Sequence, residues 1–197
     1  MPVQKIEKRD FMLRCWEVFH RQGYYNTSMD DLAKATGLKK AGLYHHYPTK
    51  QALMESVLAF AVQEFRSYVL SVVHETELPA EQRLEKMLRR QRRLAVLERK
   101  GCFFANVALE TGNENLFNHI LREVMEEWTQ TFAGLYRTAL PAEEAYSEAR
   151  RLIMEYEGAV VFYKMSGTQQ YLEEFVQRAV KAFSAMPRYS ETVDIHH

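Results

Sequence analysis

The segment from Ser28 to Tyr47 constrains the fold of this chain most, because it reads as two short helices separated by one glycine. Ser28 and Asp31 are three residues apart, as in a variant of the capping box that starts a helix. The apolar residues that follow have the spacing of one helical face: Met29, Leu32 and Ala33. Gly37 can adopt the left-handed conformation that ends a helix. The segment therefore predicts a short first helix that stops at Gly37.

A second short helix is predicted after this glycine. Leu38 fills the corner, and Pro48 closes the helix because the residue before a proline is displaced from the helical region. Two helices joined by a short turn at a glycine form a helix-turn-helix unit, whose second helix lies in the major groove of DNA. An ordinary helical hairpin shows the same pattern, so the spacing alone leaves both interpretations open.

The residues in this segment resemble the DNA-binding motif of the TetR/AcrR family of bacterial transcriptional regulators. The most specific part is the run Leu-Tyr-x-His-aromatic-x-x-Lys, which this chain has from Leu43 to Lys50. Further positions agree with the family pattern, with Ser in place of Thr at the first and Ala35 one place early: Ser28, Leu32, Ala33, Ala35, Gly37 and Leu38. The resemblance covers residues 5–60 closely and the rest of the chain by architecture.

Both the residues and the resemblance predict an all-α protein. Glycine and proline are scarce, at 8 and 5, and apolar residues keep helical spacing along nearly the whole chain. The resemblance implies a three-helix DNA-binding head at residues 1–48, followed by a helical ligand-binding and dimerisation domain at residues 49–197. It also implies a homodimer in which the last two helices of each subunit form a four-helix bundle.

The periodicity predicts the following helices outside the motif. They are Val3–Gln22, Lys50–Val73 as a strut after the head, Ala80–Glu98, a helix starting at Cys102, Leu116–Leu140, Ala142–Met165 and Thr168–Ala185. The helix at residues 80–98 is strongly basic, which is typical of a second nucleic-acid patch or of a solvated face. Its basic residues point all round the helix, so the solvated face is favoured.

The DNA-binding residues are predicted at the start of the second motif helix and beside it. They are Ser28, Lys39, Lys40, Ala41, Gly42, Tyr44, His45 and Lys50. Lys39 and Lys40 can reach phosphate or the acceptor edge of guanine. The resemblance implies phosphate contacts for Tyr44 and Lys50. The chain departs from the family at Lys39, where a Ser is usual, and at Ala41 and Gly42, where Gly and Thr are usual.

A cavity for a small effector is predicted in the second domain, because aromatic residues between bundle helices can line an apolar pocket. The candidate residues are Cys102, Phe103, Asn106, Phe117, Trp128, Phe132, Tyr156 and Phe162. Three polar side chains could orient the ligand: Asn106, Glu110 and Glu157. Each aromatic residue taken singly is better explained as plain core. As a group they favour a hydrophobic or aromatic effector.

Cys102 supports a separate hypothesis. It is predicted to lie in the first turn of a helix beside Arg99 and Lys100, and a helix N-terminus with nearby cations favours thiolate. The run Gly-Cys-Phe-Phe-Ala-Asn also resembles a segment of a TetR-family subgroup with members that sense electrophiles or oxidants. The alternative functions are therefore a thiol-based redox or electrophile sensor acting through Cys102 and a buried structural cysteine.

Composition argues against a disulfide-rich, secreted or membrane-spanning protein, and the charge distribution agrees weakly with a DNA-binding regulator. The formal net charge is zero, but residues 1–66 carry a net +3 and the remainder a net −3, as expected for a basic head on a separate body. Two cysteines make no disulfide framework, and no signal peptide or run of 18 apolar residues is visible. We expect a cytoplasmic protein without a membrane partner, cofactor, metal site or catalytic constellation.

The function predicted from these observations is a ligand-responsive repressor. It binds a palindromic double-stranded DNA operator as a dimer, with two heads about 34–36 Å apart, and an effector releases it. Two alternatives stay open at this point. One is an activator or a regulator without a ligand, and the other is a helical enzyme or interaction module that does not bind DNA.

Overall fold

The computed structural model describes residues 6–97 and 100–187, and these residues form nine α-helices and no strand. The helices are α1 Lys8–Gln22, α2 Met29–Thr36, α3 Lys40–His46, α4 Lys50–Tyr68, α5 Ala80–Val96, α6 Phe103–Thr111, α7 Asn118–Tyr136, α8 Ala142–Ser166 and α9 Gln170–Ser184. Short 3-10 turns occupy Leu70–His74 and Gly112–Glu114. The predicted all-α class is confirmed.

Several predicted helix boundaries need correction. Two late helices are shorter than predicted: Leu116–Leu140 becomes Asn118–Tyr136, and Thr168–Ala185 becomes Gln170–Ser184. The first helix begins at Lys8, because Glu7 is extended, with a ψ of 140°; the predicted start at Val3 lies outside the described residues. The strut helix ends at Tyr68 instead of continuing to Val73. The chain tightens there into a 3-10 turn, in a stretch whose three β-branched valines have reduced helix propensity.

The helix predicted to start at Cys102 starts one residue later, at Phe103. Gly101, just before the cysteine, has a positive φ of 76°, which no helical residue has. Cys102 therefore precedes α6 and is not part of its first turn, contrary to the sequence-based prediction.

The chain divides into two compact units. The first runs up to Phe65 and includes Phe103–Glu123, and the second comprises Arg66–Cys102 and the chain from Val124 onward. Both α4 and α7 therefore contribute to both units. This division does not follow the boundary expected at residue 48, which remains a prediction about where the DNA-binding function ends.

The core of the first unit consists of buried side chains from α1 to α4 and from α6. The predicted apolar face of α1 is confirmed, since Phe11, Met12 and Phe19 are all buried. Cys15 is 0% exposed, and burial raises the pKa of its thiol to about 12. Phe11 also stacks on Tyr47, with ring centroids 5.8 Å apart.

The turn between α1 and α2 is held by a carboxylate from α6. The backbone N–H groups of Tyr24 and Tyr25 donate to the two carboxylate oxygens of Glu110, each at 2.8 Å. The Lys50 ammonium donates to the Tyr24 carbonyl at 2.7 Å and lies 4.4 Å from the centre of the Tyr24 ring. A hydrogen bond to Glu114 is the main cause that raises the pKa of Tyr25 to about 12. These contacts fix the backbone immediately before α2.

The second unit is built from α5, α8, α9 and the later part of α7. Its largest fully buried side chains come from α5, α7 and α9: Leu84, Met87, Phe132, Phe175 and Phe183. The basic residues of α5 mostly contact partners in the same unit. Arg83 and Arg90 donate to the backbone carbonyls of Val73 and Tyr68, respectively. Lys86, Arg89 and Arg92 form ion pairs with Glu75, Glu85 and Glu173, respectively. This pairing gives no support to a second nucleic-acid patch.

Among the described residues, one stretch, Lys50–His74, is long and apolar enough to cross a membrane by length and composition. Part of it forms core instead, since Leu53, Met54 and Leu58 are each 0% exposed. A buried core helix of a water-soluble fold has the same composition, so the stretch is weak evidence for a membrane span.

Two glycines of the first unit provide a matched stability test. Gly23 has φ 82° and ψ 170°, a region that only glycine populates readily, and an added Cβ would lie 2.7 Å from Glu110 Oε1. Gly37 has φ 75° and ψ 11°, with no atom within 4 Å of an added Cβ. We expect Gly37→Ala to lower the free energy of unfolding by about 1 kcal/mol and Gly23→Ala by about 2–3 kcal/mol.

Urea denaturation followed by circular dichroism measures both effects. Gly134→Ala is the control, because Gly134 is exposed within α7 and has open space around it; alanine there should be stabilising by about 0.5–1 kcal/mol. If Gly23→Ala and Gly37→Ala lower the free energy of unfolding equally, the close approach of Glu110 to Gly23 does not affect stability.

Candidate nucleic-acid interface and effector site

The start of α2 is fixed by the predicted capping box. The Ser28 hydroxyl accepts a hydrogen bond from the Asp31 backbone N–H at 3.2 Å, and the Ser28 N–H donates to Asp31 Oδ2 at 2.9 Å. The hydrogen bonds from Ser28 lower the pKa of Asp31. At the other end, Gly37 adopts the left-handed conformation. Ser28 therefore has a structural role in α2, and its predicted DNA contact remains a prediction.

The helix α3 is anchored by one buried side chain. Leu43 is 0% exposed and is the only buried residue of this seven-residue helix. The remaining predicted DNA-binding residues at its start and along it are all exposed: Lys39, Lys40, Ala41, Gly42, Tyr44 and His45. One side of the helix is thus attached to the core, while the predicted DNA-binding residues of the helix itself face solvent.

The two lysines at the start of α3 differ in their surroundings. The Lys39 ammonium makes no hydrogen bond or ion pair with any residue that the structure describes. The Lys40 ammonium lies 2.9 Å from Asp30 Oδ2, and this hydrogen bond is the main cause that raises the pKa of Lys40. Because both groups of that pair are about half exposed, the ion pair is weak and can exchange for a phosphate.

Lys50 has a different position from the one expected of a phosphate contact. Its ammonium donates to the carbonyl oxygens of Tyr24 and Tyr25, at 2.7 and 3.4 Å. Desolvation lowers the pKa of Lys50, and the charge of Glu110 opposes that shift. The geometry favours a role of Lys50 in holding the turn before α2, and its contact with DNA remains a prediction.

The predicted effector residues do not all belong to one unit. Phe103, Asn106 and Phe117 lie in the first unit, whereas the others lie in the second: Cys102, Trp128, Phe132, Tyr156 and Phe162. The first unit uses its members as core, since Phe103 is 5% exposed and packs against Trp16 at 5.6 Å, and Phe117 is 0% exposed. Glu110, expected to orient the ligand, instead binds the turn before α2.

Phe162 is 56% exposed, which contradicts its assignment to an enclosed pocket. Its helix, α8, turns one stripe inward and another outward, and Phe162 lies on the outward stripe beside Val161 and Met165. The ring of Phe162 lies 5.3 Å from that of Tyr171, which is itself exposed. Helical periodicity groups the residues of α8 into faces, but it does not show which face packs against the other helices.

An aromatic group of the second unit surrounds Tyr156. The Tyr156 ring lies 5.7 Å from that of Trp128 and 5.9 Å from that of Phe175, and its hydroxyl donates to the Gln91 carbonyl at 3.2 Å. Desolvation raises the pKa of Tyr156 well above its ordinary value. Burial also raises the pKa of the adjacent Glu157, and a hydrogen bond with Cys102 partly offsets that shift.

These surroundings do not support the sensor hypothesis for Cys102. The thiol is half-buried and shares a hydrogen bond with the Glu157 carboxyl group. A neighbouring carboxyl group disfavours thiolate, whereas the hypothesis required cations and a position inside a helix. Of those cations, Arg99 lies outside the described residues.

Two roles were missed from the sequence, that of Gln91 and that of Glu110 in the turn before α2. Gln91 stands on α5 among the buried residues Leu84, Leu88 and Ala95, so a polar residue in an apolar stripe was the available signal. The role of Glu110 had no such signal, because its partners Tyr24 and Tyr25 are 86 and 85 residues away in the chain.

No group of three or more His, Cys, Asp or Glu side chains within the described residues is placed to hold a metal ion.

Two family models match this chain. Residues 15–57 match the model described as "Bacterial regulatory proteins, tetR family". Residues 81–178 match the model described as "Transcriptional regulator LmrA/YxaF-like, C-terminal domain". The first match includes α2 and α3, and the second includes α5 from its second residue onward and all of α6 to α8.

Characterised relatives and solved structures agree with these matches. The chain is 22% identical over 171 residues to the HTH-type transcriptional repressor DhaR of Mycobacterium sp. (strain GP1), covering 81% of this chain and 83% of that protein. It is 42% identical over 38 residues to the biofilm operon icaADBC HTH-type negative transcriptional regulator IcaR of Staphylococcus aureus (strain Newman), covering 19% of this chain and 20% of that protein.

The fold is that of known regulators. A TetR transcriptional regulator from Legionella pneumophila has a TM-score of 0.81 at 18% identity, covering 92% of this chain and 99% of that one. A TetR transcriptional regulator from Chloroflexus aurantiacus has a TM-score of 0.78 at 24% identity, covering 91% and 95%. The exposed motif helix, the two family models and this shared fold lead to one conclusion. The chain belongs to the TetR family of bacterial regulatory proteins and is a DNA-binding transcriptional regulator.

Proposed function

We propose that this regulator is a cytoplasmic, dimeric repressor that a small apolar or aromatic effector releases from a palindromic operator. The observation that supports DNA binding is the geometry of α3. Leu43 anchors this helix in the core, and all its other residues are exposed. Repression is supported by the relatives DhaR, a transcriptional repressor, and IcaR, a negative regulator. An activator would bind DNA through the same helix and differ only in its effect on transcription.

The proposed contacts with DNA combine positioning and base recognition. Lys39, Tyr44 and His45 are exposed on α3, and Lys40 can leave its solvent-exposed partner Asp30 for a phosphate. Ala41 and Gly42 have small side chains that allow the helix backbone to approach the groove. Ser28 and Lys50 are the remaining proposed contacts, both of which also hold the unit together.

The proposed homodimer forms through α8 and α9. The outward stripe of α8 carries large exposed apolar side chains at helical spacing, namely Met154, Val161, Phe162 and Met165. Gly158 lies on the same stripe and is exposed, so another helix can approach closely there. Exposed apolar patches of this kind mark protein–protein interfaces, and a second copy of the chain would cover the stripe by packing its own α8 and α9 against it.

The proposed regulation is a two-state equilibrium. Effector binding favours an arrangement of the dimer in which the two α3 helices no longer match adjacent major grooves. The shift is limited by the difference in effector affinity between the two states, typically about 1–3 kcal/mol.

The DNA contacts are tested with the double substitution Lys39→Ala/Lys40→Ala. We expect affinity for the DNA upstream of its own gene to fall on the order of ten- to a hundredfold, because two phosphate-binding cations per subunit are lost. The slope of log affinity against log salt should decrease by about 1 for each lost phosphate contact. Fluorescence anisotropy with labelled duplexes at several salt concentrations measures both quantities.

The control removes two cations elsewhere. Arg137→Ala/Arg150→Ala changes the net charge equally, at exposed positions at the end of α7 and on α8. It should leave affinity and salt slope nearly unchanged. If both double variants weaken binding equally, the effect is one of overall charge, and α3 is not the contacting element.

The dimer interface is tested with Val161→Glu/Phe162→Glu. Two carboxylates on the apolar stripe should oppose burial and convert the dimer to a monomer that no longer binds the palindrome tightly. Size-exclusion chromatography with light scattering gives the mass. Leu109→Glu is the control, because Leu109 on α6 is 83% exposed and outside the stripe. A dimer that survives the double substitution excludes this interface.

A further inference from the structure

Gln91 is a polar side chain in the buried stripe of α5. That stripe is formed by Leu84, Met87, Leu88 and Ala95 at helical spacing, and Gln91 stands between them at only 2% exposure. Every other side chain of the stripe is apolar. An amide at this position removes two hydrogen-bonding groups from water, so it must either find partners or destabilise the protein.

Neither side-chain atom of Gln91 has a hydrogen-bond partner among the described residues. Both Oε1 and Nε2 are fully buried without a donor or an acceptor from the protein. Leaving such groups unsatisfied costs about 1–3 kcal/mol, which few natural cores accept without a functional reason. A ligand that supplies both a donor and an acceptor would satisfy them.

The neighbourhood of Gln91 is aromatic. Its backbone carbonyl accepts the Tyr156 hydroxyl hydrogen bond at 3.2 Å, which places Tyr156 beside it. The Tyr156 ring contacts those of Trp128 and Phe175, on α7 and α9. Residues from α5, α7, α8 and α9 are thus linked through the Tyr156 side chain, in a part of the second unit that combines a buried amide with aromatic rings, which is the composition of small-molecule sites.

The charge of the neighbourhood limits the ligand. Glu157, next to Tyr156, belongs to the same unit, and burial shifts its carboxyl group toward the neutral form. Cys102 is its hydrogen-bond partner. The aromatic side chains of Tyr156, Trp128 and Phe175 carry no positive charge that could balance a ligand anion, and an unpaired buried charge is strongly disfavoured.

We propose that Gln91 is the specificity-determining residue of the effector site, and that it binds an uncharged, planar aromatic compound with a hydrogen-bond donor and acceptor on adjacent atoms. The Gln91 amide offers the complementary acceptor and donor pair, and Tyr156, Trp128 and Phe175 surround the ring system. This inference rests on the proposed ligand-responsive function. The class includes cyclic amides such as fused-ring lactams.

Binding is tested with quinolin-2(1H)-one, a planar lactam, in ligand-observed NMR titrations of the full-length protein. Its N-methyl derivative has the same ring system without the donor. We expect the lactam to bind the wild type at least tenfold more tightly than the N-methyl compound, and Gln91→Met to remove that preference. No binding of the lactam to the wild type, or an equal preference in Gln91→Met, overturns the proposal.

Thermal unfolding of the ligand-free protein gives an independent result. Methionine has nearly the shape of glutamine but no unsatisfied polar atoms, so Gln91→Met should raise the unfolding midpoint. A lowered midpoint would mean that the amide is satisfied within the fold, which also overturns the proposal. Gln130→Met is the matched control at an exposed position of α7, and it should change neither the midpoint nor lactam binding.

DNA binding separates this inference from the proposed function. Lactam binding that depends on Gln91 and releases the protein from operator DNA supports both. Lactam binding that depends on Gln91 but leaves DNA affinity unchanged supports the site and contradicts its role in regulation.

Discussion

The DNA-binding unit depends on the burial of Leu43. A helix of seven residues has almost no stability of its own, because nucleation costs more than a few hydrogen bonds return. Burying one leucine contributes about 1.5–3 kcal/mol, and here it connects α3 to the core formed by α1, α2 and the start of α4. Since the neighbouring side chains remain outside, the same contact that orders the helix leaves its functional face free for DNA.

The backbone before α2 is ordered by charged hydrogen-bond partners as well as by the packing of Tyr24 in the core. A single carboxylate, Glu110, satisfies the N–H groups of Tyr24 and Tyr25 at once, and Lys50 satisfies the Tyr24 carbonyl. Buried or half-buried backbone groups need such partners. The turn therefore depends on α6, a helix far away in the sequence. A displacement of α6 would change the position of the backbone at the start of the helix-turn-helix. This makes Glu110 a structural link within the first unit.

The second unit shows the opposite use of a polar group. Glu110 accepts hydrogen bonds from the backbone N–H groups of Tyr24 and Tyr25. The Gln91 amide, in contrast, is buried without partners among the described residues. Proteins keep such costs mainly at functional sites, where stability is lost in exchange for recognition. The contrast between a half-buried carboxylate that has partners and a buried amide that has none separates a structural residue from a candidate binding residue.

The sequence by itself determined the helical class, the capping box at Ser28, the left-handed Gly37 and the burial of Leu43, because these follow from local propensity and spacing. It also identified the family, because the motif lies within one short segment. Only the tertiary structure decided that Phe162 faces solvent, that Glu110 holds a turn and that Gln91 is unsatisfied. Helical periodicity defines the faces of a helix, but which face is covered, and by which partner, depends on residues distant in the chain.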